Sequence, residues 1–389
     1  MRVRRCAIVH LEPRERLEFD LELLTDGGSG LRDVLEWIAL AAHLSTEVAL
    51  SASEVAVLGA LSPSRWQQLE ELSALHGRDV VTSLLSKDLL LADGSAQALR
   101  DQRLRDTHWR PASAVMHYAS RWGGFDALKA QQQITETEDG DLLSRLGPPQ
   151  PVVRECTAAA ERRRLPAAPT SPLEELLSHR VTCRNFDSAC ALTLEQFSTV
   201  LYRAWGARSV HDFAPNVPLL KKGVPSAGGL HATEAYLLVQ HVEGIEPGLY
   251  HYHPIDHALE PMRILDAQAA TALAKQFVAG QTYFADAHVM VIAVSRFLRN
   301  FWKYRNHTKA YRAITLDIGH LSQAQYLAAT ELGLAAFITA AINEIDIEQA
   351  FGLDPLEEGP LAVTGFGIRA AERREVEWDP LNAVWPAAD

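Results

Sequence analysis

The sequence predicts an α+β protein, with a smaller mixed region in front of a larger domain of sheet and flanking helices. Three observations lead there. Apolar runs of strand length recur late in the chain, at residues 287–294, 335–342 and 361–368. Residues 248–261 read as a hairpin turning near residues 254–257, which is antiparallel pairing. Among these runs lies one long helix, residues 313–332, small and apolar over much of its surface and so expected to be central and mostly buried.

The elements follow in order. Strands are expected at residues 4–10 and 16–24, before the turn cluster Asp26-Gly27-Gly28-Ser29-Gly30. Ser53-Glu54 can open a helix carrying Val55, Val57, Leu58 and Leu61, and Ser64 can cap a second carrying Trp66, Leu69 and Leu72. Gly77 interrupts, and a third helix carries Val80, Val81, Leu84 and Leu85. Leu89-Leu90-Leu91 then meets Asp93-Gly94, a hairpin signal. Three short helices and a wing resemble a winged helix. Residues 147–172 are rich in Pro, Ala and Arg and read as a crossing or linker. Thr193 and Gln196 form a capping-box pattern for a helix through Trp205, and residues 235–242 alternate like a strand. The expected division is residues 1–100, a connecting segment 101–172, and a large domain 173–389.

The chain has 389 residues, 47% hydrophobic and 22% charged, enough for a sizeable core without staples. Its formal net charge of −12 opposes a broad nucleic-acid surface. Cys6, Cys156, Cys183 and Cys190 form no CxxC pair, so neither a zinc site nor a dithiol redox motif is expected. No apolar run reaches the roughly 18 residues of a membrane helix, and the basic N-terminus lacks a signal-peptide core. A cytoplasmic protein is expected.

Some segments carry chemistry. Arg180, Thr182 and Arg184 stand at i, i+2 and i+4, so an extended chain points all of them to one side. Two guanidinium forks around a hydroxyl make a cradle for a phosphate dianion, although the same spacing also suits a solvated strand. Pro225-Ser226-Ala227-Gly228-Gly229 lets a backbone approach a flat ligand closely, or is a plain turn before a strand. Lys303 and Tyr304 can act as acid or base in a pocket, or belong to a solvated basic face with Arg305, Lys309 and Arg312. His251 and His253 form an HxH pair that could face a metal.

Taken in order, these pieces resemble SagB-type dehydrogenases of the nitroreductase superfamily, closest to the peptide-maturation subgroup with azoline-oxidase members. The resemblance runs over residues 109–368. It rests on the segment 180–186, the PSAGG loop with His231, the GLYHYHP run, Lys303-Tyr304, and Asp317, Gly319, His320 and Gln323. It implies an FMN-binding fold and an FMN-dependent oxidoreductase, with a precursor peptide as substrate. It implies further a homodimer, and other maturation enzymes as partners. Arg180, Thr182 and Arg184 match the FMN phosphate and flavin-edge segment. Pro225, Ser226 and Gly228 match the loop lying on FMN. Thr339, Ala340 and Ala341 match the strand end near flavin N5. Lys303 and Tyr304 match the Lys-Tyr pair tied to oxidation, and Asp317, Gly319, His320 and Gln323 match the buried helix. The resemblance makes the GLYHYHP run a hairpin without metal. Departures are Ala232 and Val181, where proline and a second arginine are common, and Ala340-Ala341 in place of a glycine-containing pair.

The residues before 101 would hold a leader peptide by strand addition. Two other readings stand beside this one. The first is a nitroreductase of free quinones or nitroaromatics, for which such a region is superfluous. The second is a winged-helix, flavin-sensing regulator. The net charge disfavours it, as does the presence of only Arg65, Arg78 and Lys87 as basic residues in the second and third helices.

Overall fold

The computed structural model describes residues 1–130 and 147–385, so part of the expected connecting segment, 131–146, lies outside the described residues. Two compact units emerge, the first comprising Met1–Arg121, Ser295–Thr315 and Gly352–Gly359, and the second comprising Trp122–Val294, Leu316–Phe351 and Pro360–Asp389.

In the first unit, strands β1 (Arg2–Arg5), β2 (Val9–Phe19), β3 (Leu31–Ala41), β4 (Val48–Leu50), β5 (Gln67–Gln68) and β6 (Leu90–Ala92) form two three-stranded sheets, ordered β5-β1-β6 and β2-β3-β4. The expected break between strands shifts. Cys6 and Ala7 turn the chain because their N–H groups are taken by Leu89 O at 3.0 Å and by buried Asp101 Oδ1 at 2.5 Å. One strand then runs unbroken to Phe19, and residues 21–24 are not strand but part of the helix Leu21–Thr25, capped by Asp20. Pro13 is tolerated inside β2 because β2 is a sheet edge.

The first of the expected helices is Ala52–Ala60, capped by Ser51 rather than started at Ser53, in a capping box with Glu54. The second begins later than Ser64 suggests, at Leu69–His76, because Gln67 and Gln68 are drawn into pairing with Val3 and Arg2. The third, Arg78–Ser86, follows Gly77 as expected. Asp93-Gly94 turns no hairpin; Ser95 caps the helix Ala96–Asp106 instead. Val3, Leu58, Leu72, Val81, Leu84 and Leu89–Leu91 make the core.

A second packed cluster in this unit is aromatic. Trp109 stacks on His117 at 5.3 Å and lies 4.6 Å from Phe297 and 5.0 Å from Phe301. The indole N–H donates to Leu356 O at 2.9 Å, and His117 Nδ1 lies 3.0 Å from Tyr311 Oη.

The second unit holds β7 (Ala207–Ala214), β8 (Val217–Lys222), β9 (Thr233–Val239), β10 (Gly248–His253), β11 (Ala258–Ile264), β12 (Val289–Arg296) but for its last two residues, β13 (Ala335–Thr339) and β14 (Glu358–Gly367) but for its first two. The last six form one sheet in the order β11-β10-β9-β12-β14-β13. The β10–β11 hairpin and the buried runs β12, β13 and β14 fall where the sequence places them, and the long helix runs over Ala310–Glu331. β7 and β8 form a hairpin that the sequence reading did not single out. Thr193 and Gln196 do form a capping box, on Leu194–Ala204. Residues 148–170 are exposed and irregular apart from a short turn at Ala159–Glu161, and Pro172 opens the helix Pro172–His179, capped by Ser171. At Gly365 a Cβ would lie 2.3 Å from the Phe337 ring, so β13 and β14 can pack only with glycine there.

Burial pushes the His117 imidazole down to about 3, with the Arg121 charge acting in the same direction. His43 and His288 are also pushed down by burial. These rings stay neutral in the fold but take up protons when the chain unfolds below their ordinary value near 6.5. Stability from His117 is therefore full above about pH 6.5 and falls as pH drops toward 3, by about 1.4 kcal/mol per pH unit, and His43 and His288 act in the same direction. Thermal melts followed by circular dichroism should show this acid limb. His117→Phe should flatten it.

Candidate functional site

Residues 180–186 run beside β13. Thr182 bridges Ala336 in parallel, and Cys183 N–H donates to Ala336 O at 2.9 Å. The extended chain alternates as the spacing requires: Val181, Cys183 and Asn185 are buried, while Arg180, Thr182 and Arg184 are half-buried. The structure brings Arg180 and Thr182 together on one partner, Tyr326 of the long helix. Thr182 Oγ1 lies 3.0 Å from Tyr326 Oη, and the Arg180 guanidinium lies 5.4 Å from its ring centre. Burial raises the Tyr326 phenol, partly offset by the Thr182 hydrogen bond and the Arg180 charge. Arg184 diverges from this pair. Its guanidinium lies 5.6 Å from the Tyr283 ring, and Nη1 donates to Val376 O at 3.1 Å. Neither Arg180 nor Arg184 pairs with a carboxylate side chain among the described residues.

The loop at Pro225 is held by the same helix. Ser226 Oγ donates to Asp317 Oδ2 at 2.5 Å, and Ala227 N–H donates to Asp317 Oδ1 at 3.0 Å. The serine oxygen also accepts His231 N–H at 2.9 Å, closing the turn. Gly228 sits at φ +61, a backbone conformation that favours glycine. Pro225 and Gly228 are exposed.

The strand end is fixed by Gln281. Its amide donates to Ala341 O at 2.7 Å and to Val278 O at 2.8 Å, and it lies 3.3 Å from Thr339 Oγ1. Ala341 N–H donates to Thr339 Oγ1 at 3.1 Å, and Ala340 is exposed.

All these residues lie in the second unit, whereas Lys303 and Tyr304 lie in the first, at the end of the helix Phe297–Tyr304. Lys303 is exposed and Tyr304 half-buried, with Lys303 Nζ 5.7 Å from the Tyr304 ring centre. His251 is engaged by carboxylates, Glu260 at 2.6 Å and Glu234 at 3.2 Å, rather than paired with His253.

The expectation that Gly319, His320 and Gln323 are buried with Asp317 is corrected, because all three are exposed. The helix period explains it: Asp317, Ile318, Leu321, Ser322, Gln325 and Tyr326 turn inward, which puts 319, 320 and 323 on the opposite side. Sequence reading missed Tyr326, Gln281 and Gln325. Gln325 accepts the Trp205 indole N–H at 2.9 Å and donates to Thr364 Oγ1 at 3.0 Å. Tyr326 sits nine positions after Asp317, two and a half turns on, so the two stand at opposite edges of the buried arc and no spacing pattern singles Tyr326 out.

The nitroreductase family model matches residues 177–368. The protein MJ1384 of Methanocaldococcus jannaschii, named as a nitroreductase, is 30% identical over 203 residues, 52% of this chain and 94% of its own length. The chain belongs to the nitroreductase family. It is therefore an oxidoreductase with a nitroreductase-like α+β fold. The trifolitoxin-processing protein TfxB of Rhizobium leguminosarum bv. trifolii is 31% identical over 154 residues, 39% of this chain and 40% of that protein. The microcin B17-processing protein McbC of Escherichia coli is 25% identical over 188 residues, 47% of this chain and 65% of that protein. The chain thus spans under two thirds of the length of these two relatives. Among solved structures, the E. coli microcin synthetase McbBCD complex with truncated pro-MccB17 bound aligns at TM-score 0.45 and 20% identity, covering 69% of this chain and 97% of that one.

In this oxidoreductase, Asp317→Ala would leave the Ser226 hydroxyl and the Ala227 N–H without their acceptor. Urea unfolding should show a loss of about 1–3 kcal/mol. Gln323→Ala, on the exposed side of the same helix, should change stability by less than about 0.5 kcal/mol.

Proposed function

We propose that the chain is an FMN-dependent oxidoreductase that acts on a ribosomally made peptide, dehydrogenating a peptide-borne azoline to an azole or carrying out a related oxidation or reduction of a modified residue. The observation that carries the cofactor reading is the uncompensated Arg180 guanidinium set beside the Thr182 hydroxyl on Tyr326. A half-buried cation without a carboxylate partner fits a phosphate dianion. The exposed backbone at Pro225 and Gly228 fits the flat face of a flavin, and Thr339, Ala340 and Ala341 fit its reactive edge. FMN supplies the two-electron acceptor.

The chain's own groups supply placement and proton handling. Arg180, Thr182 and Arg184 bind the phosphate end and the flavin edge. Lys303 or Tyr304 takes the proton that leaves with the hydride when the ring is oxidised. The peptide assignment draws on TfxB and McbC, whose names identify them as processing trifolitoxin and microcin B17. Residues 1–100 hold the leader of the peptide, 101–172 connect, and 173–389 form the FMN domain. Other maturation enzymes are partners. A homodimer buries the exposed side of the long helix, where Leu316 is 63% exposed beside Gly319, His320 and Gln323. No helix among the described residues is long and apolar enough to cross a membrane, and we place the enzyme in the cytoplasm without nucleic acid as a partner.

Purified protein should take up FMN at close to one per chain. In fluorescence titrations Arg184→Ala should bind FMN about tenfold to a hundredfold more weakly, whereas Arg163→Ala in the exposed linker should bind normally. Equal affinities would show that the phosphate is misplaced.

Lys303→Ala and Tyr304→Phe should keep FMN but slow single-turnover flavin reduction by the peptide about 10²- to 10⁴-fold. Near-normal rates with full FMN content would remove the pair from the chemistry.

A further inference from the structure

We propose that residues 369–385 form a clasp in which Glu377 is a positioning residue, fixing the backbone of Arg184 and so the conformation of the anion-binding segment. The proposal rests on the FMN reading above and extends it to a part of the chain outside the candidate site.

The clasp is built around one carboxylate. The Glu377 side chain is fully buried. It accepts the backbone N–H of Arg184 at 2.6 Å, the Asn185 amide at 2.8 Å and the Trp385 indole N–H at 2.8 Å, and it pairs with Arg369. Burial works against its charged form. The bonds from Arg184, Trp385 and Asn185, with the Arg369 charge, outweigh that and hold the carboxyl below its ordinary range. An isolated buried carboxylate is costly, so this one stays charged only while its donors remain in place.

The rest of the segment locks onto the same stretch. Asn185 Oδ1 accepts the N–H groups of Arg374 and Glu375, both at 2.7 Å, and its amide also donates to Glu375 O at 3.0 Å. Arg184 Nη1 reaches Val376 O, so both the backbone and the side chain of Arg184 are held by the tail. Asp379 curls the end by accepting the N–H groups of Ala383, Val384 and Trp385 at 2.8–3.0 Å, which brings the Trp385 indole back to Glu377. Glu372 is exposed and its side chain makes no bond among the described residues, which makes it a control within the same tail.

The test uses the full chain. Glu377→Gln should weaken FMN binding about tenfold in a fluorescence titration, while Glu372→Gln should change it less than about twofold. In an Arg184→Ala background the effect of Glu377→Gln should vanish, because the side chain it positions is gone. A purely structural contact would instead weaken FMN equally in both backgrounds. Amide hydrogen exchange reads the clasp without any flavin. Peptides covering residues 182–186 should exchange at least about tenfold faster in Glu377→Gln and at the wild-type rate in Glu372→Gln. Unchanged exchange and unchanged FMN affinity in Glu377→Gln would overturn the clasp. Wild-type protein that takes up no FMN, with the exchange difference intact, would instead overturn the cofactor reading and the clasp's role in it, leaving only its hold on the backbone.

Discussion

The candidate site depends on the distance between two side chains of one helix. Asp317 ties down the Pro225–Gly228 loop and Tyr326 receives Arg180 and Thr182. Nine residues separate them, roughly 13 Å along the axis at 1.5 Å per residue. A helix is stiff over that length, so the glycine loop and the arginine segment keep a constant separation although about 45 residues of chain lie between them. β13 supplies the second constraint. Thr182 bridges Ala336, only three residues before Thr339, so the arginine segment and the strand end share one strand's register. With both ends referred to rigid elements, a ligand lying between them meets a surface already formed, which lowers the ordering cost of binding.

Buried carboxylates perform the same task repeatedly. Glu54 receives Ser51 N–H, the Ser83 hydroxyl and Lys87. Asp101 receives Ala7 N–H, Arg4 and Arg105. Asp317 and Glu377 follow the pattern with Ser226 and Ala227 and with Arg184 and Asn185. Each group loses water on burial and regains it as three or more directed bonds, several from backbone N–H. Such hubs place irregular chain, which has no ladder of its own to fix it.

This explains what the sequence could and could not reveal. Thr193 with Gln196, the β10–β11 hairpin, the three buried runs and the long helix are local patterns, and the structure has them close to where periodicity puts them. The alternation of burial along Arg180, Thr182 and Arg184 is equally local and is present, although the Arg184 side chain turns away from the other two. What failed were boundaries set by distant partners. Gln67 and Gln68 become strand because β1 lies alongside, and Asp93-Gly94 leads to a helix because β6 already pairs with β1; the cap at Ser51 rather than Ser53 is by contrast a local capping box with Glu54 that the reading set two residues late. The partners of the site residues are long-range as well: Thr182 meets Tyr326 across 144 positions and Arg184 meets Glu377 across 193. No spacing rule reaches that far. The glycine at Gly228 was legible because positive φ is a property of the residue itself, whereas the role of Asp317 depends on what faces it.

The proposed proton handling has a physical condition attached. Lys303 stands exposed at a helix end beside Tyr304. Any lysine accepts a proton only as the neutral amine, whereas water stabilises the charged form. Burial disfavours that form for any lysine, so covering the side chain promotes the neutral amine that can accept a proton. In the proposed reaction a peptide substrate would cover it on each turnover. A peptide laid over Lys303 and Tyr304 would exclude water at the step where the proton leaves, and a small free substrate would exclude less of it. Base strength would then follow substrate size. On the proposed reading a peptide substrate and an exposed lysine base would be one requirement.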